Sequence, residues 1–249
     1  MFTGQQIPEL EDNWRYESKY RLTIQQYHQL KNAFQPYLVL DPYTRDKPDH
    51  RYLVRSLYYD SFDLRAYFEK VNGNNNRIKY RLRSYSSTLN NEPPIRVELK
   101  LRRGIKTEKL STFIPASDYK TFLDTKHFSA EDNPVLIEFE RYVHTRNLHP
   151  KLLVEYHREG YQTRTKDQLR ITFDHDVSSV SAKNLFPRQP LFRSHHKNII
   201  VLEIKHHQQL PSWLKKIVKD HNLKIVANSK YCQGIEVTHP GMLKDSLRF

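Results

Sequence analysis

Cysteine is almost missing from this chain. Cys232 is the only one in 249 residues, which excludes an intrachain disulfide framework and a cysteine-built zinc site and fits a reducing, cytoplasmic setting. Glycine is also scarce, at six residues, while Tyr and Phe number 16 and 12. That balance suits a sheet-rich protein, because aromatic side chains pack well on pleated surfaces. Long apolar runs are absent as well. Residues 1–20 carry Glu9, Glu11, Asp12 and Trp14 without an apolar stretch of signal-peptide type, and no run elsewhere reaches the length of a membrane span. The chain therefore reads as soluble, with no membrane segment. Neither an internal repeat nor a low-complexity tract is visible. Acidic residues are outnumbered: 41 Lys and Arg face 28 Asp and Glu, a net charge of +13, which favours an anionic partner without identifying it.

The most informative pattern lies between residues 77 and 83. Arg77, Lys79, Arg81 and Arg83 alternate with Ile78, Tyr80 and Leu82. In a strand, this places four cations on one face and three largely apolar groups on the other. The pattern returns in Glu98, Lys100 and Arg102 against Val97, Leu99 and Leu101. If the oily faces meet covering helices, the charged faces line a concave surface fit for a polyanion. The competing reading of any one such strand is a solvated outer face with cross-strand ion pairs. Recurrence on several strands argues against it.

Residues 1–13 read as a leader, 14–240 as one domain and 241–249 as a tail. Strands are expected over 14–22, 53–60, 77–84, 95–102, 107–114, 151–163, 169–174, 177–181 and 199–206, with a hairpin turn at Arg103-Gly104. Thr23 reads as the cap of a helix to about Phe34, and Ser61 as the start of a short helix to Glu69. Residues 37–51, with Pro42 and Pro48, read as a loop and 72–76 as a Gly/Asn turn. Helices are expected over 115–125, 133–147 and 211–221 and after Ser229. Roughly eight antiparallel strands with inserted helices give an α+β class and favour an antiparallel eight-stranded β-barrel, which offers every strand an inward polar face.

Sorted by face, the strands supply Glu17, Lys19 and Arg21; the 77–83 ladder; Glu98, Lys100 and Arg102; Arg158; Arg170; and Glu203 with Lys205. Arg offers bidentate donors to phosphate and Lys a point charge, so the mixture can hold consecutive phosphates. A lone Glu among such cations suits a divalent ion bridging phosphate oxygens. The pairs His195-His196 and His206-His207 read as surface or loop histidines, since strand neighbours point to opposite faces. Trp213 reads as helix packing, and Lys215, Lys216 and Lys219 as a solvated helix face. Tyr58, Tyr59 and Tyr85 read as strand residues, one of which could flank a nucleotide.

The ordered series Tyr16-Glu17-Ser18-Lys19-Tyr20, Ser56-Leu57-Tyr58-Tyr59-Asp60-Ser61, Arg81-Leu82-Arg83-Ser84-Tyr85, Glu98-Leu99-Lys100, Tyr156-His157-Arg158, Leu169-Arg170-Ile171-Thr172-Phe173-Asp174, Leu202-Glu203-Ile204-Lys205 and Ser229-Lys230-Tyr231 resembles the VTC domain. This is the polyphosphate polymerase domain of the vacuolar transporter chaperone complex and its bacterial relatives, in the CYTH-like triphosphate tunnel metalloenzyme superfamily. The resemblance spans about residues 14–234. It implies an eight-stranded tunnel in which the γ-phosphate of ATP passes to inorganic polyphosphate with release of ADP, using Mn²⁺ or Mg²⁺. Carried over by position, Arg81, Arg83, Lys100, Arg158 and Arg170 are the catalytic cations. Lys19, Arg102, Lys109, Lys205, Ser229 and Lys230 join them in binding phosphate or nucleotide, and Glu203 holds the metal. The alternatives left open are an inorganic triphosphatase or nucleotide phosphohydrolase and a non-catalytic polyphosphate binder. Nucleic acid is not an expected partner.

The chain also departs from the family pattern. Arg15 stands where hydrolases of the superfamily open an ExExK strand, which favours the polymerase branch. A basic residue expected near Thr112 is replaced by Lys106 or Lys109, and Ala227 stands where some eukaryotic relatives have Lys. The SPX domain and membrane segments of the eukaryotic complex lie outside these residues, so the expectation is a chain that does not itself translocate product.

Overall fold

Alternation of apolar and charged residues is realised as strands that bend into a closed barrel. The computed structural model describes residues 14–89, 93–130, 132–164 and 169–241. The expected leader 1–13 and residues 242–249 of the expected tail lie outside them. The strands are β1 (Arg15–Leu22), β2 (Leu38–Leu40), β3 (Tyr52–Asp60), β4 (Asn76–Ser84), β5 (Ile95–Arg103), β6 (Lys106–Ile114), β7 (His149–Thr163), β8 (Arg170–Ser181), β9 (Arg193–Ser194) and β10 (Ile200–His206). The helices are α1 (Ile24–Phe34), α2 (Pro42–Arg45), α3 (Arg65–Val71), α4 (Ala116–Thr125), α5 (Pro134–Thr145), α6 (Ser212–Asp220) and α7 (Lys230–Thr238).

The sheet runs β2-β7-β3-β4-β5-β6-β1-β10-β8-β9, and an added β7–β8 pairing closes eight of these strands into an antiparallel barrel. β2 and β9 are short additions at its margins. One seam is thin, since β1 meets β6 only at Arg15 opposite Thr107 and Tyr16 opposite Lys106. Beyond that point the edge of β1 is covered by another segment, whose Val226 N–H donates to Lys19 O at 2.9 Å.

Most oily faces point outward, against helices, where two clusters hold them. Leu82, Val97 and Leu99 pack with Phe122 of α4 and Phe139 of α5. Tyr20, Ile171 and Leu202 pack with Leu30 and Phe34 of α1 and Leu214 of α6. Trp213 stacks on Tyr37 at 4.2 Å, as helix packing. A third cluster lies on the inner side, where Val54 and Tyr58, both lining the cavity, pack with Val154, with Tyr67 of α3 and with Ile235 of α7. The rest of the inside of the barrel is left to the charged faces.

Caps explain where several helices begin. Thr23 and Gln26 form a reciprocal capping box ahead of α1. The Asn133 side chain accepts from Val135 and Leu136 N–H, with Pro134 in the first turn. The 37–51 loop contains β2 and α2, the latter capped by the Asp41 carboxylate and opened by Pro42. The short helix starts at Arg65 rather than Ser61, because Asp60 takes the N–H groups of Ala66 and Tyr67 while Ser61 Oγ accepts only from Arg65. The two strands expected over 169–181 are one, β8, with a register shift against β7 between Glu155 and His157. His195 is buried rather than on the surface, 2.6 Å from Ser179 Oγ.

Candidate functional site

A cavity of about 1100 Å³ runs within the barrel. Period-two alternation makes its wall basic, and antiparallel register stacks the cations. Arg77 faces Arg102, Lys79 faces Lys100 and Arg83 faces Arg96. Lys100 also faces Lys109. Like charges directly opposite are destabilising, so these rungs need counter-charge. Sixteen Lys and Arg line the cavity against four carboxylates, Glu17 and Glu203 on its wall and Glu98 and Asp174 buried behind it, a net of +12.

Four buried carboxylates organise the wall. Glu98, fully buried on β5, accepts from Arg81 Nε at 2.5 Å and from Lys109 Nζ at 3.3 Å, with Arg83 at 3.7 Å and Arg96 at 3.9 Å. Asp174 on β8 takes Arg158 in a bidentate pair at 2.6 and 2.8 Å and Lys230 at 2.5 Å. Glu203 on β10 lies within 3.2 Å of Lys19, Lys230, Lys205 and Arg158. Glu17 meets Lys19 at 3.1 Å and Lys100 at 2.7 Å, so Lys19 Nζ sits between two carboxylates.

Burial by itself would raise the carboxyl groups of Glu17, Glu98 and Glu203, but the cations around them prevail and hold all three well below the usual carboxylate range. The reverse holds for some lysines. Burial, reinforced by Lys19 and Arg81, outweighs the Glu17 and Glu203 carboxylates and pushes Lys100 down to about 8. Burial, with Arg96 and Arg83 adding to it against Glu98, brings Lys109 to about 8. Tyr58, buried but ringed by Arg81, Arg83 and Lys79, is lowered to about 8 and accepts from Arg81 Nη1 at 2.9 Å.

The residues assigned to the site from sequence meet at this cavity, but Arg21, expected on the same face as Glu17 and Lys19, is exposed at the end of β1 and donates to Asn228 Oδ1 at 3.2 Å. Lys19, Arg81, Arg83, Arg102, Lys100, Lys109, Arg158, Arg170, Glu203, Lys205, Ser229 and Lys230 all line it. Lys109 is the inward residue of β6. Thr112 points outward to Asn133 Nδ2, at 3.1 Å, and Lys106 is exposed over the Tyr16 ring. Ser229 Oγ caps α7 through Cys232 N–H and accepts from Lys79 Nζ at 2.7 Å, so Lys79 reaches inside, while Arg77 stays at the mouth opposite Arg102. Arg170 is held by Asp41 at 2.6 Å and Tyr52 Oη at 3.2 Å. Asp41, Tyr43 and Lys47 lie in a stretch that reads as loop, although Asp-Pro is a helix-start signal that marks α2.

Among the described residues no group of three or more His, Cys, Asp or Glu could hold a metal ion, and no helix is long and apolar enough to cross a membrane. Glu203, with Glu17 one strand away, is the carboxylate set that the cavity presents. Such a set fits an ion that arrives on a phosphate chain and takes its remaining ligands from phosphate oxygens and water.

Comparison with solved structures gives the same architecture. A candidate adenylate cyclase from Bacillus halodurans superposes with a TM-score of 0.55 at 12% identity, covering 87% of this chain and 95% of the other. A candidate adenylyl cyclase from Hippeastrum, in which triphosphatase activity dominates, gives 0.50 at 13% identity, covering 90% and 96%. At these identities the likeness shows the triphosphate tunnel fold alone. Among curated proteins none matches the chain. The VTC domain family model matches residues 14–239. The protein belongs to the VTC domain family.

Proposed function

We propose that this protein is a metal-dependent polyphosphate polymerase, passing the γ-phosphoryl group of ATP to the end of an inorganic polyphosphate chain inside the barrel. The observation that carries the reading is the enclosure of a net +12 in a cavity whose rungs set cation against cation. A linear chain of phosphates supplies the missing counter-charge along the whole length.

In the reaction the bond from the γ-phosphorus to the β–γ bridging oxygen of ATP breaks, and a terminal oxygen of the polyphosphate bonds to that phosphorus as ADP leaves. Such a step needs in-line positioning and neutralisation of equatorial oxygens more than covalent chemistry. Arg81, Arg83, Lys100, Arg158 and Arg170 are assigned to the reacting phosphates. Lys19, Arg102, Lys109, Lys205, Ser229 and Lys230 hold the flanking ones. Glu203 would hold a Mg²⁺ or Mn²⁺ ion, which when bound neutralises phosphate oxygens.

The nucleophile is already ionised in a polymerase, so no general base is required. That agrees with carboxylates whose oxygens are committed to cations and with Arg15 at the first acidic position of the hydrolase pattern. Triphosphate hydrolysis is the second reading, favoured by the activity of the Hippeastrum neighbour. Product analysis separates the two. Purified protein given ATP and Mn²⁺ is expected to make long polyphosphate and ADP, and release of only ADP and orthophosphate overturns the polymerase reading.

A further inference from the structure

The two mouths of the tunnel are chemically different. At one end stand Arg77 and Arg102, flanked by the aliphatic Val71 and Ile225. At the other end, where the β4–β5 connection and α2 lie, the lining is aromatic. There Tyr43, Tyr52 and Tyr85 form a row, with ring centroids 6.4 Å apart for the first pair and 6.0 Å for the second. The rings are tilted by 55° and 59°, so they do not cover each other's faces. Tyr43 is 68% exposed, whereas Tyr52 behind it is buried.

An exposed tyrosine is ordinary on a loose loop, but Tyr43 sits on an anchored turn. Asp41 N–H donates to Gly160 O and Gly160 N–H to Thr44 Oγ1, both at 2.9 Å, and the Asp41 carboxylate caps Thr44 N–H. The same carboxylate holds Arg170 at 2.6 Å. One short element therefore fixes an open aromatic face and a phosphate-facing guanidinium together at the tunnel mouth. Aromatic faces beside a row of cations match a ligand that is a flat ring at one end and a chain of phosphates at the other.

We infer that Tyr43, backed by Tyr52 and Tyr85, is the docking platform for the base of a nucleoside triphosphate whose phosphates run inward past Arg170. The inference rests on the proposed reading of the cavity as a phosphate tunnel and adds the nucleoside site to it. Stacking is tolerant of base identity, since every base has a π-face.

The test compares ATP with inorganic tripolyphosphate, which has no base, binding to the full chain in one Mg²⁺ buffer. Tyr43→Ala is expected to weaken ATP roughly 5- to 100-fold, the range of one base stack, and to leave tripolyphosphate unchanged. Tyr43→Phe, which keeps the ring, is expected to bind ATP as the parent does. Equal losses for both ligands in Tyr43→Ala, or no loss for ATP, overturn the platform while the tunnel reading stands. A parent protein that binds neither ligand overturns the tunnel reading itself, so the two failures are distinct.

Discussion

Glu98 has no exposed surface, and its two oxygens face Arg81, Arg83, Arg96 and Lys109. Removing one partner of a buried ionic cluster leaves the others uncompensated, which costs about 3–5 kcal/mol. Glu98→Gln is expected to lose about that much in urea unfolding, and saturating tripolyphosphate is expected to restore a large part by supplying the missing negative charge. A deficit that tripolyphosphate leaves untouched would mean that the four cations do not face the ligand. Lys100 and Lys109, brought from 10.5 to about 8, give a pH signature. Below pH 8 both carry charge. Between 8 and 10.5 they are largely neutral in the empty tunnel, and a bound polyanion restores their protons. Binding should therefore take up protons near pH 8, and affinity should fall above it by up to about tenfold per pH unit for each proton. Calorimetry in buffers of different ionisation enthalpy measures this, and proton release on binding would contradict it. At this scale the alternation already revealed which residues face inward. Which carboxylate serves which cation, and the inward turn of Lys79 to Ser229, depend on contacts between strands far apart in the chain.

The α2 turn shows how an element with little local signal is positioned. Its cap, Asp41, packs where a side chain at position 160 would go. A Cβ on Gly160 would lie 2.2 Å from Asp41 Oδ2. Gly160→Ala is expected to cost about 1–3 kcal/mol by overpacking. In an Asp41→Ala background the same change is expected to cost much less, because the atom it strikes is gone. Additive losses in denaturant melts of the four proteins would refute this coupling. The starts of α1, α5 and α7 were legible because Thr23, Asn133 and Ser229 cap them through bonds a few residues away. α2 carries the same kind of signal in Asp41-Pro42, but Pro48 and the surrounding charges made the segment look irregular. β8 read as two strands because Asp176, at φ +54, stands beside the register shift and breaks the alternation. β9 pairs at only two positions, too few to leave a pattern.

For the molecule as a whole, the charge that composition reveals becomes informative only when the barrel closes. Closure gathers sixteen Lys and Arg against four carboxylates around one cavity, a net of +12. A single thread of phosphates can enter that cavity, whereas a duplex cannot. The empty tunnel also stores repulsion across its like-charged rungs, and a bound polyanion relieves it. A ligand at a hundredfold excess over its Kd adds about 2.7 kcal/mol to stability, which corresponds to roughly 5–10 °C in Tm for a chain of this size. Tripolyphosphate and longer polyphosphates are expected to raise Tm by that amount in thermal melts at moderate salt. Duplex DNA at matched phosphate concentration is expected to leave Tm where it was, because it is too wide to enter the barrel. An equal shift from duplex DNA would place the anion site on the outer surface and remove the tunnel from the explanation.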